Sequence, residues 1–494
     1  MRVVVVVVAL FSSALVPSVA RANGAVRVPP LPSVGVLKSL VPSGPATVSY
    51  LTGPDGRVTT NPTGATRHTL AVGRLVDNYG TGVDIVEQRL YVFTQTGEDA
   101  SAMLARTHGS VVDEQTITPP VGAGPSTTWT MSTIIVSMKN VVTTTLRQDL
   151  RTLDARARGW MKVSDPNLLR TVAIAAHEAA MFHTRVSLDF RANSTSIADG
   201  STTEAASSNA FTWDGYTRRP TDVLRTGVVE SWQALDIASK AGPVDVVVSD
   251  GGFVPGREVP MTVDPPSAIN VNPAKCGGNS LCPWHGTGTA ATIGGVVDNH
   301  LGAAGTGAPV VRMHAESMAA DLWGAISQAS KTGSFIINTS WRAVIPALVA
   351  FSLEPITSLV RFYYAMGIVI VASAGNDSID VDAHDCSSTC WETSVTYPCE
   401  LSDVICVGAV EPSDGSKSGY SNYGSLQRST KDGAAQDDGS VDIYAPGTTQ
   451  ITGLPSTATL PAATNDNVVS TFSGTSAAAP FVTGVLALMQ AADP

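Results

Sequence analysis

From about residue 220 onward the chain repeats one theme, a short apolar run followed by a longer stretch of helical character. The runs are Val244 to Val248, Val310 to Met313, Phe335 to Ile337, Ile368 to Ala372 and Val404 to Val410. The helical stretches are His285 to Val297, Ala315 to Lys331 and Pro346 to Met366. Strands without polar alternation are buried on both faces, and strands alternating with helices form a parallel sheet between two helical layers. The predicted class is α/β. In such sheets ligands bind beyond the C-terminal ends of the strands, which is where chemistry is to be sought.

Four residues stand out there. Asp250 follows the first run in Ser249-Asp250-Gly251-Gly252, and Asn376 follows the fourth in Ser373-Ala374-Gly375-Asn376. His285 opens a helix of small residues. Ser476 begins the stretch Ala477 to Met489, which is apolar all round and so predicts an enclosed helix. A serine there meets the positive end of the helix dipole. Gly474 lets a substrate backbone approach, and Pro480 cannot donate to the carbonyl of Ser476, loosening the first turn. Taken singly, each is an ordinary turn-former or cap. Together they supply a nucleophile, a base to take its proton, an acid to orient that base and an amide to stabilise an oxyanion.

These segments resemble the subtilisin family of serine proteases. The resemblance rests on Gly474-Thr475-Ser476-x-Ala478-x-Pro480, on His285-Gly286-Thr287, on Ala374-Gly375-Asn376 and on the chain order Asp, His, Ser. Val228 to Leu235, Tyr420 to Gly424 and Tyr444 to Gly447 also resemble family segments, and the likeness covers about 220 to 494. It implies a subtilisin-like parallel sheet with helices on both faces, in a peptidase domain over 216–494. It makes Asp250 the orienting acid, His285 the base, Ser476 the nucleophile and Asn376 an oxyanion donor. It further makes Ser340, Trp341 and Arg342 the edge that pairs with a peptide substrate, and Ser373, Ala374 and Gly375 a wall of the primary specificity pocket. The implied activity is endopeptidase action on proteins or peptides through an acyl-enzyme. The competing reading is an inactive binding module of the same fold; such modules usually lose a site residue, and here all four stand in order.

Three departures carry expectations. Gly251 stands where the family usually has Ser or Thr, so a supporting hydrogen bond is expected to be missing. Arg342 replaces a usual Gly, narrowing the cleft or favouring acidic side chains. The family usually continues past the nucleophile's helix, so more chain beyond 494 is expected. No cofactor is needed for this chemistry. Asp377, Asp380, Asp382 and Asp385 offer oxygen ligands suited to structural calcium, but their spacing fits no defined calcium loop, and a solvated acidic loop is expected instead.

The first half lies outside the resemblance. Residues 1–22, with Arg2, an apolar run to Leu15 and Ala20-Arg21-Ala22, have the form of a secretory signal peptide, so export is expected. Residues 23 to 80 look irregular; a smaller α+β unit then follows, with strands around 90–93, 110–112 and 133–137 and helices at 99–107, 146–153 and 168–183. His177 and His183 are six apart, the wrong spacing for a zinc helix. A Ser/Thr/Gly-rich linker is expected over 191–215. In position and character, 23–215 suits a propeptide that plugs the cleft until it is cut away, or a retained accessory domain. A net charge of −11 without Lys/Arg runs excludes a nucleic-acid footprint, and no apolar stretch long enough for a membrane span is expected. The six cysteines are disulfide candidates, paired as neighbours (276 with 282, 386 with 390, 399 with 406), with Cys406 alternatively a buried thiol.

Overall fold

The computed structural model describes residues 31–53, 63–119, 127–154, 159–194, 204–205, 226–237, 242–263, 269–272, 281–297, 299, 301–317, 321–382, 384–385, 391–424 and 441–493. The signal segment, Cys276, Cys386 and Cys390 lie outside these residues.

The N-terminal part is an eight-stranded sheet. Its strands are β1 (Ser33–Val36), β2 (Thr47–Thr52), β3 (Thr66–Asp77), β4 (Gly82–Gln95), β5 (Ser110–Ile117), β6 (Trp129–Ile135), β7 (Trp160–Val163) and β8 (Val186–Phe190). The order is β1-β7-β3-β4-β6-β5, with β2 added to β3 and β8 to β4. Helices α1 (Ser101–Thr107), α2 (Leu146–Leu153) and α3 (Pro166–Phe182) accompany it. The start of α3 is written in Asp165-Pro166: the Asp165 carboxylate accepts the N–H groups of Asn167 and Leu168 at 2.7 and 3.2 Å, and proline occupies the first turn. His177 of α3 turns to Asp149 of α2, with Nδ1 3.2 Å from the carboxylate.

Residues 23 to 80 are thus not irregular where described, and the sheet is larger than expected. In β3 the alternation is real but thin: Leu70, Val72 and Leu75 are buried, while Thr66, Arg67, Thr69 and Ala71 are exposed. Threonine and glycine dilute the period-two signal there.

Two short strands follow, β9 (Asn193–Ser194) and β10 (Glu204–Ala205), within the expected linker. The C-terminal part then begins with α4 (Val228–Ile237), β11 (Val244–Asp250), β12 (Met261–Val263), α5 (His285–Gly294), β13 (Val311–Ser317) and α6 (Asp321–Thr332). It continues with β14 (Ile336–Thr339), β15 (Trp341–Pro346), α7 (Glu354–Tyr364), β16 (Val369–Ser373), β17 (His384–Asp385), β18 (Trp391–Glu392), β19 (Ser394–Tyr397) and β20 (Val404–Val410). β21 (Ile443–Pro446), β22 (Thr448–Gly453), β23 (Asn465–Ser473) and α8 (Thr475–Ala492) complete it. Seven strands make one wholly parallel sheet in the order β12-β13-β11-β14-β16-β20-β21.

Alternate residues of one strand serve opposite faces of this sheet. Val246 and Val248 join a cluster with α5 and α8, whereas Val247 joins one with α6 and α7. Two expected boundaries move. Residues 315–317 extend β13 instead of opening a helix, and the stretch 346–366 is broken, with a 3₁₀ segment over Ala347–Leu353 before α7 and Pro355 in the first turn of α7. Helix α8 is, by length and composition alone, long and apolar enough to cross a membrane, with mean hydropathy 1.3, and 72% of that stretch is buried inside the protein. Cys399 and Cys406 form a disulfide, which removes the buried-thiol alternative.

The N-terminal sheet and the C-terminal part share one apolar cluster. Phe93 meets Trp323 of α6 edge-on at 5.7 Å, Trp129 meets Phe362 of α7 at 6.2 Å, and the Trp323 indole donates to Gln115 Oε1 at 3.0 Å.

Glu87 of β4 is buried beside Asp165, and burial, then the hydrogen bond and charge of that neighbour, push its pKa up to about 8. The fold therefore holds it protonated at neutral pH. Its native pKa lies above the ordinary value of 4.5, so its contribution is complete below that value and is lost as pH rises through about 8. Thermal unfolding followed by tryptophan fluorescence should show the transition of the N-terminal part falling between about pH 5 and about pH 8, the window set by these values, with a much flatter profile in Glu87→Gln. Equal slopes in both proteins would contradict this assignment.

Candidate active site

Asp250 is the last residue of β11, at the C-terminal edge of the parallel sheet, and His285 is the first residue of α5. The turn between them and the helix are one unit: Gly251 and Gly252 offer their carbonyls to the N–H groups of Gly286 and Thr287 at 2.8 and 3.1 Å. This satisfies two donors that a helix start leaves open. Within it, His285 Nδ1 lies 2.7 Å from Asp250 Oδ1, and both side chains are wholly buried.

The support expected to be missing comes from another residue. Asp250 Oδ2 accepts the hydroxyl of Thr289 at 2.8 Å, and Oδ1 accepts the Gly251 N–H at 2.6 Å. Thr289 is four residues after His285, on the same helix face, a spacing legible in the sequence. Phe472 of β23 stands edge-on to the imidazole at 5.4 Å, and Gly288 makes room for it.

Ser476 is in the first turn of α8. Gly474, its cap, has φ +114°, a conformation natural only to glycine. The carbonyl of Ser476, deprived of its helical donor by Pro480, accepts from Ser340 Oγ at 3.4 Å, and the Ser476 hydroxyl donates to the Ser340 carbonyl at 3.4 Å. His285 Nε2 is buried and has no hydrogen-bond partner, so serine and imidazole are not hydrogen-bonded to each other in this state.

Asn376 lies just past β16. Its Oδ1 accepts both the N–H and the hydroxyl of Thr475, at 2.9 and 3.0 Å, while Thr475 Oγ1 accepts the Gly375 N–H at 3.1 Å. The amide is thereby locked with Nδ2 on the other side, buried and without a partner. Thr475, one residue before the serine, had no expected role beyond its place in the motif. Ala374 is held by Asn422, whose Nδ2 donates to its carbonyl at 2.8 Å and whose Oδ1 accepts the N–H of Asp377 at 2.9 Å.

The edge expected to meet a substrate divides by atom. The Trp341 side chain is fully buried and donates to Ser249 Oγ at 3.1 Å, so only its backbone faces a partner. That backbone is already paired: β15 runs antiparallel to β9, with Trp341 opposite Ser194 and Arg342 opposite Asn193. β10 pairs antiparallel with β23, Glu204 opposite Val469 and Ala205 opposite Val468. The Arg342 guanidinium pairs with Asp377. Among the described residues no group of three or more His, Cys, Asp or Glu side chains is placed to hold a metal ion. Asp377, one of the four aspartates considered for calcium, is turned to an arginine.

The family model described as the Subtilase family matches residues 226–494, and the chain belongs to that family. It is 29% identical over 224 residues to an extracellular protease of Xanthomonas campestris pv. campestris, a match covering 43% of this chain and 33% of that protein. It is also 29% identical over 131 residues to an alkaline proteinase of Hapsidospora chrysogena, covering 26% of this chain and 24% of the relative. The chain thus spans about a third and a quarter of the length of these curated relatives. Among solved structures it is similar to fervidolysin from Fervidobacterium pennivorans, at 18% identity and TM-score 0.42 over 83% of this chain and 56% of that one.

The hydrogen bond from Thr289 to the buried carboxylate is of the charged kind, worth about 1.5–3 kcal/mol, or roughly 10- to 100-fold in a rate that depends on it. Thr289→Val should slow labelling of Ser476 by a fluorophosphonate by that factor, and Thr289→Ser should restore it. Unchanged labelling in Thr289→Val would show that Asp250 is held by other contacts.

Proposed function

We propose that this chain is an exported serine endopeptidase that works through Asp250, His285 and Ser476, made as a latent precursor. The observation that carries the reading is a pair of vacancies. His285 Nε2 and Asn376 Nδ2 are both buried without partners, while the atoms on their far sides, Nδ1 and Oδ1, are fully engaged. A buried unsatisfied polar atom costs about 1–3 kcal/mol, which a fold tolerates where a reacting group will supply the missing partner.

The chemistry follows from those positions. The Ser476 hydroxyl leaves its weak bond to the Ser340 carbonyl and gives its proton to His285 Nε2 as Oγ attacks the peptide carbonyl. Asp250 holds the ring tautomer and stabilises the imidazolium. The oxyanion is met by Asn376 Nδ2 and by the backbone N–H of Ser476 at the positive end of α8. His285 then protonates the leaving amine, and a water activated in the same way releases the acyl group. Every group used belongs to the chain, and no cofactor is assigned to the reaction.

Substrate recognition by backbone is supported by β9, which already extends β15 as an added strand. With β10 on β23, the strand leading directly to Gly474 and Ser476, the chain's own segment is held on both sides of the reactive centre. We therefore assign the segment from 23 up to the cut the role of a propeptide, and place that cut between β9 and β10, in 195–203, so that the rest of the linker to 215 stays with the peptidase part. Export is supported by the character of residues 1–22 and by the name of the Xanthomonas relative.

Intact-mass analysis of the expressed chain tests this. The wild type should release a C-terminal piece beginning within 196–204 that takes up one fluorophosphonate on Ser476, whereas Ser476→Ala should remain uncut and unlabelled. An uncut, unlabelled wild type that is folded would instead support the inactive binding module. A labelled wild type with its N-terminus elsewhere would reject only the propeptide boundary.

A further inference from the structure

Arg342 lies against Gly375, in the segment 373–375 that the family resemblance makes a wall of the primary pocket. Its guanidinium lies across the backbone of Gly375: a Cβ placed on Gly375 would come 2.6 Å from Nε and 2.8 Å from Cδ. Gly375, at φ +105°, thus leaves its open side to this arginine and to Asn422 Nδ2, one residue before the Asn376 amide. Nη2 is paired with Asp377, while Nη1 is buried and has no partner. Burial pulls the guanidinium pKa down to about 10, which leaves it charged at neutral pH.

The ion pair is unequal. The Arg342 side chain is 15% exposed and that of Asp377 is 50% exposed. Water can take over solvation of Asp377 at little cost, but it cannot reach the arginine to the same extent. The position therefore offers a fixed cation with one nitrogen unspent, whose present carboxylate partner is free to leave. An aliphatic or aromatic side chain entering here would leave Nη1 buried and unpaired; a basic one would meet a like charge. A carboxylate would satisfy Nη1 and could share or replace Asp377 at Nη2, in the two-point geometry that guanidinium and carboxylate favour.

Resting on the protease reading above, we propose that Arg342 makes the primary pocket select glutamate or aspartate on the acyl side of the cleaved bond. It acts as a specificity residue and takes no part in the proton transfers.

The matured enzyme is first titrated with a fluorophosphonate, which counts working serines whatever the pocket prefers. It is then given a set of peptides differing only in the residue before the cut: Glu, Gln, Leu or Lys. The expected kcat/KM for Glu exceeds that for Gln and Leu by about 10-fold or more, as a charge-assisted pair requires, with Lys lowest. Arg342→Gly should remove the preference for Glu over Leu. Asp377→Ala, which keeps the arginine, should raise turnover of the Glu peptide and preserve the order. Titrated wild type that cuts Leu or Lys as well as Glu would overturn the proposal, as would a Glu preference surviving in Arg342→Gly. Should that variant fail to fold, a fall in Glu turnover in Asp377→Ala would also overturn it. Failure of titration itself would remove the protease reading, and this proposal with it.

Discussion

A carboxylate and an imidazole lie side by side without access to water at Asp250 and His285, and much of the C-terminal architecture makes that arrangement tolerable. Removing an ion from water costs several kcal/mol unless partners replace the lost solvation. Here they come from three directions: the ring nitrogen of His285, the N–H of Gly251 and the hydroxyl of Thr289. Each depends on something larger. The carboxylate is at the end of β11 between β13 and β14, which fix its height, and α5 is anchored by the carbonyls of the glycine turn that follows Asp250. The small residues of α5 let Phe253 and Phe472 close over it, so the pair stays dry and rigid.

The parallel sheet was legible because its inner strands bury both faces. Val246, Val247 and Val248 all need to be apolar, and such runs are hard to mistake. Edge strands β12 and β21 carry no such signal: among the described residues each pairs on one flank, β12 has no buried residue, and in β21 Ile443 and Tyr444 are exposed while Ala445 and Pro446 are buried. The same physics explains the misreading of the N-terminal sheet. One face of β3 is largely solvent-exposed near its start, and threonine suits that face without announcing a strand.

The candidate site residues were visible because each sits at an element boundary in a recognisable motif. What holds them was mostly invisible. Thr289 could have been found from helical spacing alone, but Thr475 to Asn376 spans 99 positions and Ser340 to Ser476 spans 136, and nothing local signals such contacts. Trp341 was expected to meet a substrate through its backbone, and its ring fills the core beneath, because a large indole on a strand buried on one side is better used there. The partnership of Arg342 with Asp377 was likewise hidden, although the oddity of an arginine at that place was plain.

The two short strands β9 and β10 have a kinetic meaning. A peptide tethered at both ends beside a reactive centre faces it at an effective concentration of order millimolar, whatever the dilution of the protein. On the proposed reading the first cut is therefore unimolecular, and its half-time does not depend on how much precursor is present. Once the tether is severed, β9 becomes an ordinary ligand, retained only as long as the Phe93, Gln115 and Trp129 surface stays on Trp323 and Phe362. Latency then becomes a dissociation equilibrium and, unlike the cut that precedes it, responds to dilution.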